Sequence, residues 1–172
     1  MGLFDRLKKA TELEPVAPAA PVSKELEVKA PVAGELVQLS ETSEPVFSSE
    51  MMGKGVAIKP TGSTIVAPID GELSAVMPHA VGLLAANGAE VLIHVGIDTV
   101  NMEGDGFKNL VAQGATVTAG TPLIEFSHEK IAAAGYENTV FVLITNTADC
   151  EEVAPVANCT VQPGDVVVNV TK

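Results

Sequence analysis

The sequence predicts an all-β fold, an antiparallel β-sandwich or barrel-like domain with an internally duplicated hairpin motif and one or two short helices. Apolar residues make up 47% of the chain but aromatic residues only 3%, so the core has to be built from Val, Ile, Leu and Ala. Val and Ile are β-branched and suit pleated strands. The 15 Gly and 11 Pro supply turns, and between them lie short apolar runs of strand length.

Charge and composition exclude several classes of function. The 172 residues include 10 basic and 22 acidic side chains, a net charge of −12, whereas nucleic-acid binding needs Lys and Arg for the phosphates. The low aromatic content speaks against platforms that stack bases or sugar rings. Apolar runs such as 140–144 are far shorter than the ~18 residues of a membrane helix. The start of the chain lacks the apolar region of a secretory signal, so we expect a cytoplasmic protein in which Cys150 and Cys159 are reduced packing residues.

We predict two regions, a tail over 1–25 and a folded domain over 26–172. Residues 1–13 place Leu and Phe at three- and four-residue spacing with basic residues on the other side, as in a short amphipathic helix. Such a segment could contact an anionic membrane, and it could equally be a frayed terminus. Residues 14–22 form a Pro- and Ala-rich linker, which favours an extended spacer.

Within the domain, local pattern predicts the elements. Helical spacing of apolar residues occurs only over Gly106–Gln113 and Glu129–Ala134, and the other segments have the pattern of strands. Two motifs recur and indicate duplication: 30–36, APVAGEL, is echoed by 67–73, APIDGEL, and 116–121, TVTAGT, is echoed by 160–165, TVQPGD. Because Pro-x-x-Gly is also ordinary turn chemistry, the echo alone leaves duplication open.

The dipeptide Asn87-Gly88 predicts a hairpin that brings two histidines together. Asn-Gly between apolar runs is a strong signal for a two-residue turn. With that turn as the centre, His94 lies opposite Val81 and His79 lies opposite Gly96. Opposed residues, and residues two apart on one strand, share a face of the sheet. One face should then hold His79, Val81, His94, Gly96 and Asp98, and the core face should hold Val91, Ile93, Val95 and Ile97.

Two converging imidazoles are compatible with three interpretations. They could belong to a zinc site, for which only Asp98 offers a third ligand, so that a partner would have to complete it. They could carry a phosphoryl group, with one neutral imidazole as nucleophile and the other donating a hydrogen bond to the phosphoryl oxygens in an apolar setting. They could also be ordinary surface histidines. Gly96 opposite His79 would leave room between the rings, and an odd-length loop would reverse the faces.

A longer stretch around these residues resembles a known family. The segment 94–100, HVGIDTV, followed by 104–107, GDGF, closely resembles the IIA domain of the glucose-type bacterial phosphotransferase system. The segments 55–62, GVAIKPTG, and 67–71, APIDG, and the pair His79-Ala80 resemble it as well. The resemblance implies an antiparallel β-sandwich that works as a phosphotransferase component with a phosphohistidine intermediate, and we expect no cofactor.

The resemblance also implies roles for individual residues. His94 would accept a phosphoryl group on Nε2 from the phosphohistidine carrier HPr and pass it to a Cys of the IIB domain of a sugar permease. His79 would stabilise the transferring group, with Gly96 and Asp98 supporting the pair. A docking surface for unlike partners would consist of Phe47, Met51, Met52 and Leu92, with Glu44 near it.

One departure from the family affects His79. Many members carry a Thr two residues before this histidine, but here the position is Met77, so the hydroxyl that could orient the His79 ring is missing. In some bacteria the unphosphorylated family member binds transporters and kinases, sometimes with zinc shared between the histidines, and such regulation would add to phosphoryl carriage. Because each partner has to reach the same open face, we expect a monomer.

Other classes and other candidate residues fit the sequence less well. A biotinyl or lipoyl module needs a Lys in a Met-Lys-Met-like setting at a hairpin tip, and the segment Glu50–Lys54 misplaces the Lys. A zinc peptidase on a similar framework needs a His-x-His pair, which the sequence lacks. We expect His128 to be a solvated residue at a helix start, and the glycines at 104 and 106 to form a turn into a helix that begins near Phe107.

Overall fold

The computed structural model describes residues 23–172, and this range folds into antiparallel β-sheets, which confirms the predicted fold class. The predicted amphipathic segment 1–13 and the linker 14–22 lie outside the described residues. The strands are β1 (Glu25–Lys29), β2 (Gly34–Gln38), β3 (Lys54–Pro60), β4 (Thr64–Val66), β5 (Gly71–Met77), β6 (Ala80–Leu84), β7 (Glu90–Val95), β8 (Phe107–Asn109), β9 (Thr116–Val117), β10 (Pro122–Phe126), β11 (Val140–Ile144), β12 (Glu152–Pro155), β13 (Cys159–Val161) and β14 (Val166–Thr171).

The strands form one large sheet and two small ones. The large sheet has the order β13-β2-β3-β11-β7-β6-β5-β9, and the small sheets have the orders β1-β14-β12 and β4-β10-β8. The side chains between the sheets are mostly Val, Ile, Leu and Ala, as the composition predicts, and they make one continuous core. A second, smaller cluster lies on the other face of the large sheet, where β2, β3, β7 and β11 are adjacent.

Within residues 23–172, two short α-helices, α1 (Pro45–Ser48) and α2 (His128–Ala133), interrupt the strands, together with single 3₁₀ turns at Leu39–Glu41, Thr99–Met102 and Thr147–Asp149. The helix predicted over Glu129–Ala134 is α2, which begins at His128 because the side chain of Ser127 accepts a hydrogen bond from the backbone N–H of Lys130. Among the described residues, no helix is long and apolar enough to cross a membrane.

The helix predicted over Gly106–Gln113 is wrong. Its first part is β8, which pairs with β10 so that Phe107 lies opposite Phe126. The backbone N–H of Leu110 donates to the carbonyl of Leu123 at 2.8 Å and continues the link to β10. The apolar spacing that suggested a helix instead reflects an edge strand whose Phe107 packs on the core, so tertiary pairing overrides the local pattern.

The two cysteines are both free thiols, and only one of them packs as predicted. Cys150 is half-buried against the core, and its thiol donates to the carbonyl of Asn146 at 3.5 Å. Cys159 is exposed on β13, the edge strand of the large sheet, so the expectation that it is a packing residue is wrong.

The repeated motifs occupy equivalent places, so the duplication is a property of the fold. The backbone N–H of Ala30 donates to the carbonyl of Asp165 at 2.7 Å, and that of Ala67 donates to the carbonyl of Thr121 at 2.8 Å. The two halves also exchange a matched pair of bonds: Lys29 N–H to Pro68 carbonyl at 2.9 Å, and Val66 N–H to Pro31 carbonyl at 2.8 Å. Two-way exchange of this kind is what a twofold relation between the halves produces.

The large sheet has the same pseudo-twofold symmetry. Its order divides into β13-β2-β3-β11 and β9-β5-β6-β7, which are copies of each other joined at β11 and β7. The repeated motifs make Leu36 the counterpart of Leu73. The strand pairing leads across two neighbouring strands from Leu36 to Val140 and from Leu73 to Val91, so Val140 and Val91 are also counterparts. Two residues further along, the counterparts are Val142 and Ile93, and these are direct partners in the β7–β11 register. The pseudo-twofold axis therefore passes between them, in the middle of the sheet.

Candidate functional site

His94 lies on β7, one residue from the centre of the large sheet. Alternation along the strand sends Val91, Ile93 and Val95 into the main core, while Leu92 and His94 point to the other face, over the smaller cluster. These positions agree with the predicted faces. Ile97 was expected on the core face, but it packs with Leu92 on the smaller cluster because the strand ends at Val95 and alternation stops there.

His79 occupies the tight turn between β5 and β6 and is only 8% exposed. The turn has two central residues, Pro78 and His79, and Met77 pairs with Ala80 on either side of them. The His79 carbonyl accepts a hydrogen bond from the backbone N–H of Val95 at 2.7 Å, which ties the turn to the end of β7. The His79 and His94 rings meet edge to face, with centroids 5.0 Å apart and planes at 77°.

The predicted hairpin exists, but its register is wrong by one residue. His94 pairs with Ala80, and Val81 pairs with Ile93 and is fully buried in the core rather than beside the histidines. The reason is a loop with three residues between Ala85 and Ala89, which bond to each other through the Ala85 N–H at 2.9 Å. Gly88 closes this loop with a φ of +92°, as a type I turn followed by a left-handed residue requires. The histidines still meet because His79 lies in a turn, where strand alternation does not apply.

The backbone after β7 sets the protonation pattern of the His94 ring. Nδ1 of His94 lies 2.8 Å from the carbonyl oxygen of Gly96. A carbonyl can only accept, so Nδ1 carries the proton of the neutral imidazole, and Nε2 keeps its lone pair. None of the described residues hydrogen-bonds Nε2. This arrangement leaves one nucleophilic nitrogen in a fixed orientation.

Position 96 requires glycine because of its backbone conformation and close packing, and not because the histidines need space between them. Its φ is +83°, in the region that favours glycine, and a Cβ there would overlap the side chain of Thr99 and lie 2.9 Å from the carbonyl of Glu137. Thr99 is 1% exposed, and its hydroxyl donates to the carbonyl of Val95. The expectation that Gly96 leaves room between the two rings is therefore wrong. Its absent side chain lets the Thr99 turn pack closely and directs the Gly96 carbonyl toward His94.

Both histidines are held in the neutral form. Burial is the main cause that lowers the pKa of His94 from 6.5 to about 4, and the nearby His79 lowers it further, against smaller raising effects of the Gly96 hydrogen bond and of Asp98. Burial also lowers the pKa of His79. A neutral imidazole is the form that can attack phosphorus, so these surroundings keep the two rings in a form capable of such an attack at physiological pH.

We expect the His94 ring to titrate with a midpoint near pH 4 in the folded protein, as measured by NMR of the imidazole carbons and nitrogens. Because the unfolded chain binds a proton on this residue near pH 6.5, folding stability should be full above pH 6.5 and fall as the pH drops toward 4. The urea-unfolded protein is the control and should show the ordinary midpoint. A folded-state midpoint at or above 6.5 would contradict the assigned environment.

Aromatic rings cover one side of His94. The centroid of Phe47, on α1, lies 5.2 Å from that of His94, and the centroid of Phe141, on β11, lies 6.4 Å away. The two phenyl rings are themselves 4.2 Å apart. Phe141 was not predicted as a site residue, since it stands in a strand that is buried along its whole length. Its pairing with His94 in the β7–β11 register is what brings it to the site.

The residues predicted for docking lie on or near α1 and β7. Met51 is 79% exposed and Met52 is also exposed, and both follow α1 in the chain. Phe47 is only 8% exposed and belongs to the smaller cluster, while Leu92 is half-buried two residues before His94. The side chain of Glu44 accepts a hydrogen bond from the backbone N–H of Val46, so this carboxylate caps α1.

Asp98 lies in the turn after Gly96, and its side chain is exposed. Its φ of +60° places it in the left-handed region that Asp tolerates better than most residues. Within the described range, no three His, Cys, Asp or Glu side chains come together as a group that could hold a metal ion. A zinc ion between His79 and His94 would therefore depend on ligands from elsewhere.

His128 differs from His94 in the partners of its ring. One ring nitrogen, Nε2, donates to the carbonyl of Gly62 at 2.7 Å, and the other, Nδ1, accepts from the side-chain amide of Asn138 at 2.8 Å. The ring also packs on Phe126 with centroids 4.9 Å apart. The prediction of a solvated residue is wrong, because His128 is half-buried and links α2 to two loops. Both of its nitrogens are occupied, whereas His94 keeps one available.

Comparison with known proteins identifies the family. Residues 26–150 match the family described as "phosphoenolpyruvate-dependent sugar phosphotransferase system, EIIA 1". The chain belongs to this family. It is a phosphotransferase component that works as a phosphocarrier of the sugar phosphotransferase system, and the resemblance drawn from the sequence is confirmed.

Relatives of this EIIA protein include chains of similar length and a much longer chain. The glucose-specific EIIA component of Oceanobacillus iheyensis is 38% identical over 165 residues, which cover 95% of each chain. The beta-glucoside-specific EIIBCA component of Dickeya chrysanthemi is 45% identical over 130 residues, 74% of this chain and 21% of that one. The solved glucose permease IIA from Mycoplasma capricolum has a TM-score of 0.77 at 32% identity and covers 84% of this chain and 95% of its own.

Proposed function

We propose that Nε2 of His94 is the atom of this phosphocarrier that accepts and hands on the phosphoryl group. The supporting observation is the bond from Nδ1 to the Gly96 carbonyl, which leaves Nε2 as the nitrogen with a lone pair. No described residue occupies that atom, in contrast to both nitrogens of His128. Phe47 and Phe141 limit access of water to a P–N bond formed there.

The transfer uses two displacements at phosphorus. In the first, the lone pair of Nε2 attacks the phosphorus of phosphohistidine on HPr, and the bond between phosphorus and the donor nitrogen breaks with its electron pair returning to that nitrogen. In the second, the thiolate of a Cys on the IIB domain of a sugar permease attacks the phosphorus, and the P–N bond of His94 breaks to restore the neutral imidazole. The EIIBCA name of the Dickeya relative supports a B unit as the acceptor.

His79 stabilises the transferring group in both displacements. Its ring lies edge to face with His94 at 5.0 Å, and burial keeps it neutral, so that it can offer one N–H to the phosphoryl oxygens without a net positive charge. In the transition state, negative charge is spread over those oxygens, and a hydrogen-bond donor that is already in place stabilises this charge at little reorganisation cost. Gly96 and Asp98 support the pair through the turn that follows β7.

The docking surface receives the two partners in turn. Met51 and Met52 are exposed next to the helix that carries Phe47, and Met side chains can adapt to unlike surfaces. Leu92 extends the apolar area on the same face as His94. Glu44 contributes by capping α1 and so keeping Phe47 against the site.

The experiment combines phosphoenolpyruvate, enzyme I, HPr and this chain with its histidines labelled with ¹⁵N. We expect one equivalent of acid-labile, base-stable phosphate and a ³¹P–¹⁵N coupling that assigns the phosphorus to Nε2 of His94. A reaction without HPr serves as the control and should leave the chain unmodified. Phosphate on Nδ1, or on another residue, would overturn the proposal.

Several further expectations stay predictions. These are the division into a tail (1–25) and a domain (26–172), contact of residues 1–13 with a membrane, regulatory binding of transporters or kinases by the unphosphorylated form, and a monomeric state. The exposed Met51 and Met52, which follow the helix that carries Phe47, support sequential use of this surface by different partners.

A further inference from the structure

The backbone of His79 is fixed on both sides, although its ring is not held by a hydrogen bond from any described side chain. On the C-terminal side, the His79 carbonyl accepts from Val95 N–H at 2.7 Å. On the N-terminal side, the carbonyl of Met77 accepts from the side-chain amide of Asn109 at 2.9 Å. The second bond spans 32 positions in sequence and joins a side chain of β8 to the turn.

The Met77–Pro78 peptide bond gives this contact particular influence. Proline has no N–H, so the Met77 carbonyl is the only hydrogen-bonding group of that peptide unit. The proline ring also fixes its own φ. Holding the Met77 carbonyl therefore fixes the peptide plane and leaves ψ of Pro78 as the only soft angle before the Cα of His79.

Asn109 is itself held by a separate part of the fold. It belongs to β8, which pairs with β10 in a small sheet, whereas the His79 turn belongs to the large sheet. The loop before β8 lies against the same turn. The backbone of Gly104 is so close to Pro78 that a Cβ at position 104 would lie 3.4 Å from the proline ring. Residues 104–109 thus brace the turn on one side, while β7 braces it through Val95.

We propose that Asn109 is a positioning residue for phosphoryl transfer, which acts by fixing the Met77–Pro78 peptide and through it the place of the His79 ring. The inference rests on the proposed role of His79. It accounts for how this chain sets that histidine without a hydroxyl at position 77, where the exposed Met77 offers none.

The test measures phosphoryl uptake and onward transfer separately in Asn109→Ala and Asn109→Asp. The Asp variant has nearly the same shape but lacks the N–H donor. We expect both to take up one equivalent of phosphate from HPr, and to pass it to the IIB domain about tenfold more slowly, the factor that corresponds to loss of one hydrogen bond. NMR should show shifted His79 ring signals and weaker ring-to-ring contact with His94. Asn109→Gln, which keeps the amide, should restore much of the rate.

Asn87→Ala is the control. It also removes a bond from an Asn side chain to a distant backbone carbonyl, that of Lys24 at 3.0 Å, and in addition the bond at 2.9 Å that the Asn87 side chain accepts from the Ala89 N–H, both at the loop end of the β6–β7 hairpin opposite the histidines. It should transfer at the normal rate even if its thermal stability falls as much as that of Asn109→Ala. Transfer by Asn109→Ala within twofold of normal, or an equal loss in Asn87→Ala, would overturn the proposal. If His79→Gln is slow while Asn109→Ala is normal, only the role of Asn109 fails. If His79→Gln is itself unimpaired, the proposed role of His79 fails with it.

Discussion

Replacing His94 by Gln is expected to abolish phosphoryl uptake. The Gln side chain has a volume similar to that of His and, like the neutral His94 ring, carries no charge, so the fold around residue 94 should be kept. The Gln side chain offers no nitrogen with an available lone pair, so the P–N bond cannot form. The measurement is the intact mass after incubation with phosphoenolpyruvate, enzyme I and HPr, and it should show only unmodified chain.

His128→Gln is the matched control for this variant. His128 also bonds a glycine carbonyl through one ring nitrogen, that of Gly62, but lies in a different part of the domain. We expect full uptake of phosphate by this variant, since both His128 nitrogens serve structural contacts. Full labelling of His94→Gln, or loss of labelling only in His128→Gln, would show that the acceptor was assigned wrongly.

Replacing His79 by Gln should separate uptake from delivery. Nε2 of His94 remains, so the variant should still reach one equivalent of phosphate. Transfer to the IIB domain should slow by about 10²-fold, the effect of removing one preorganised donor from a transition state, because a flexible Gln amide does not hold the place of the ring. Rapid-quench measurement of phosphate leaving the chain gives the rate.

The same variant carries its own internal control for folding. Val95 donates to the backbone carbonyl of residue 79, not to its side chain, so the turn should keep its anchor to β7. The amide signal of Val95 should therefore stay where it is in the NMR spectrum. Unimpaired delivery by His79→Gln would remove the role that we assign to this ring.

The sequence predicted the fold and the two histidines, but not the way in which they meet. Composition and repeats were sufficient for an all-β duplicated domain, because those properties depend on many residues at once. The register around Asn87-Gly88 depends on whether the loop has two or three residues. Gly88 has a left-handed φ, and glycine can adopt such a φ in a loop of either length, so the sequence does not distinguish the two. The prediction that His79 and His94 meet was correct despite the wrong register, because Pro78 and His79 form a turn of their own.

Other parts of the site could not be read from local pattern for a related reason. The Gly96 carbonyl is a backbone group, and Phe141 reaches the site through the β7–β11 pairing. Neither can be predicted from the spacing of side-chain types in the sequence. His128 looked like a solvated helix start, yet its partners, Gly62 and Asn138, come from separate loops. Long-range pairings of this kind become visible only in the folded chain.

The pseudo-twofold axis between Ile93 and Val142 means that the position of His94 has a structural counterpart in the other half of the sheet. One residue beyond the axis in each half, the position of His94 corresponds to Leu143, which is fully buried. The two halves provide the same strand pairing at these positions, yet only one carries an ionisable group. The strand pairing therefore does not depend on the histidine. The half that contains Leu143 shows the packing that the same sheet position adopts with an apolar side chain.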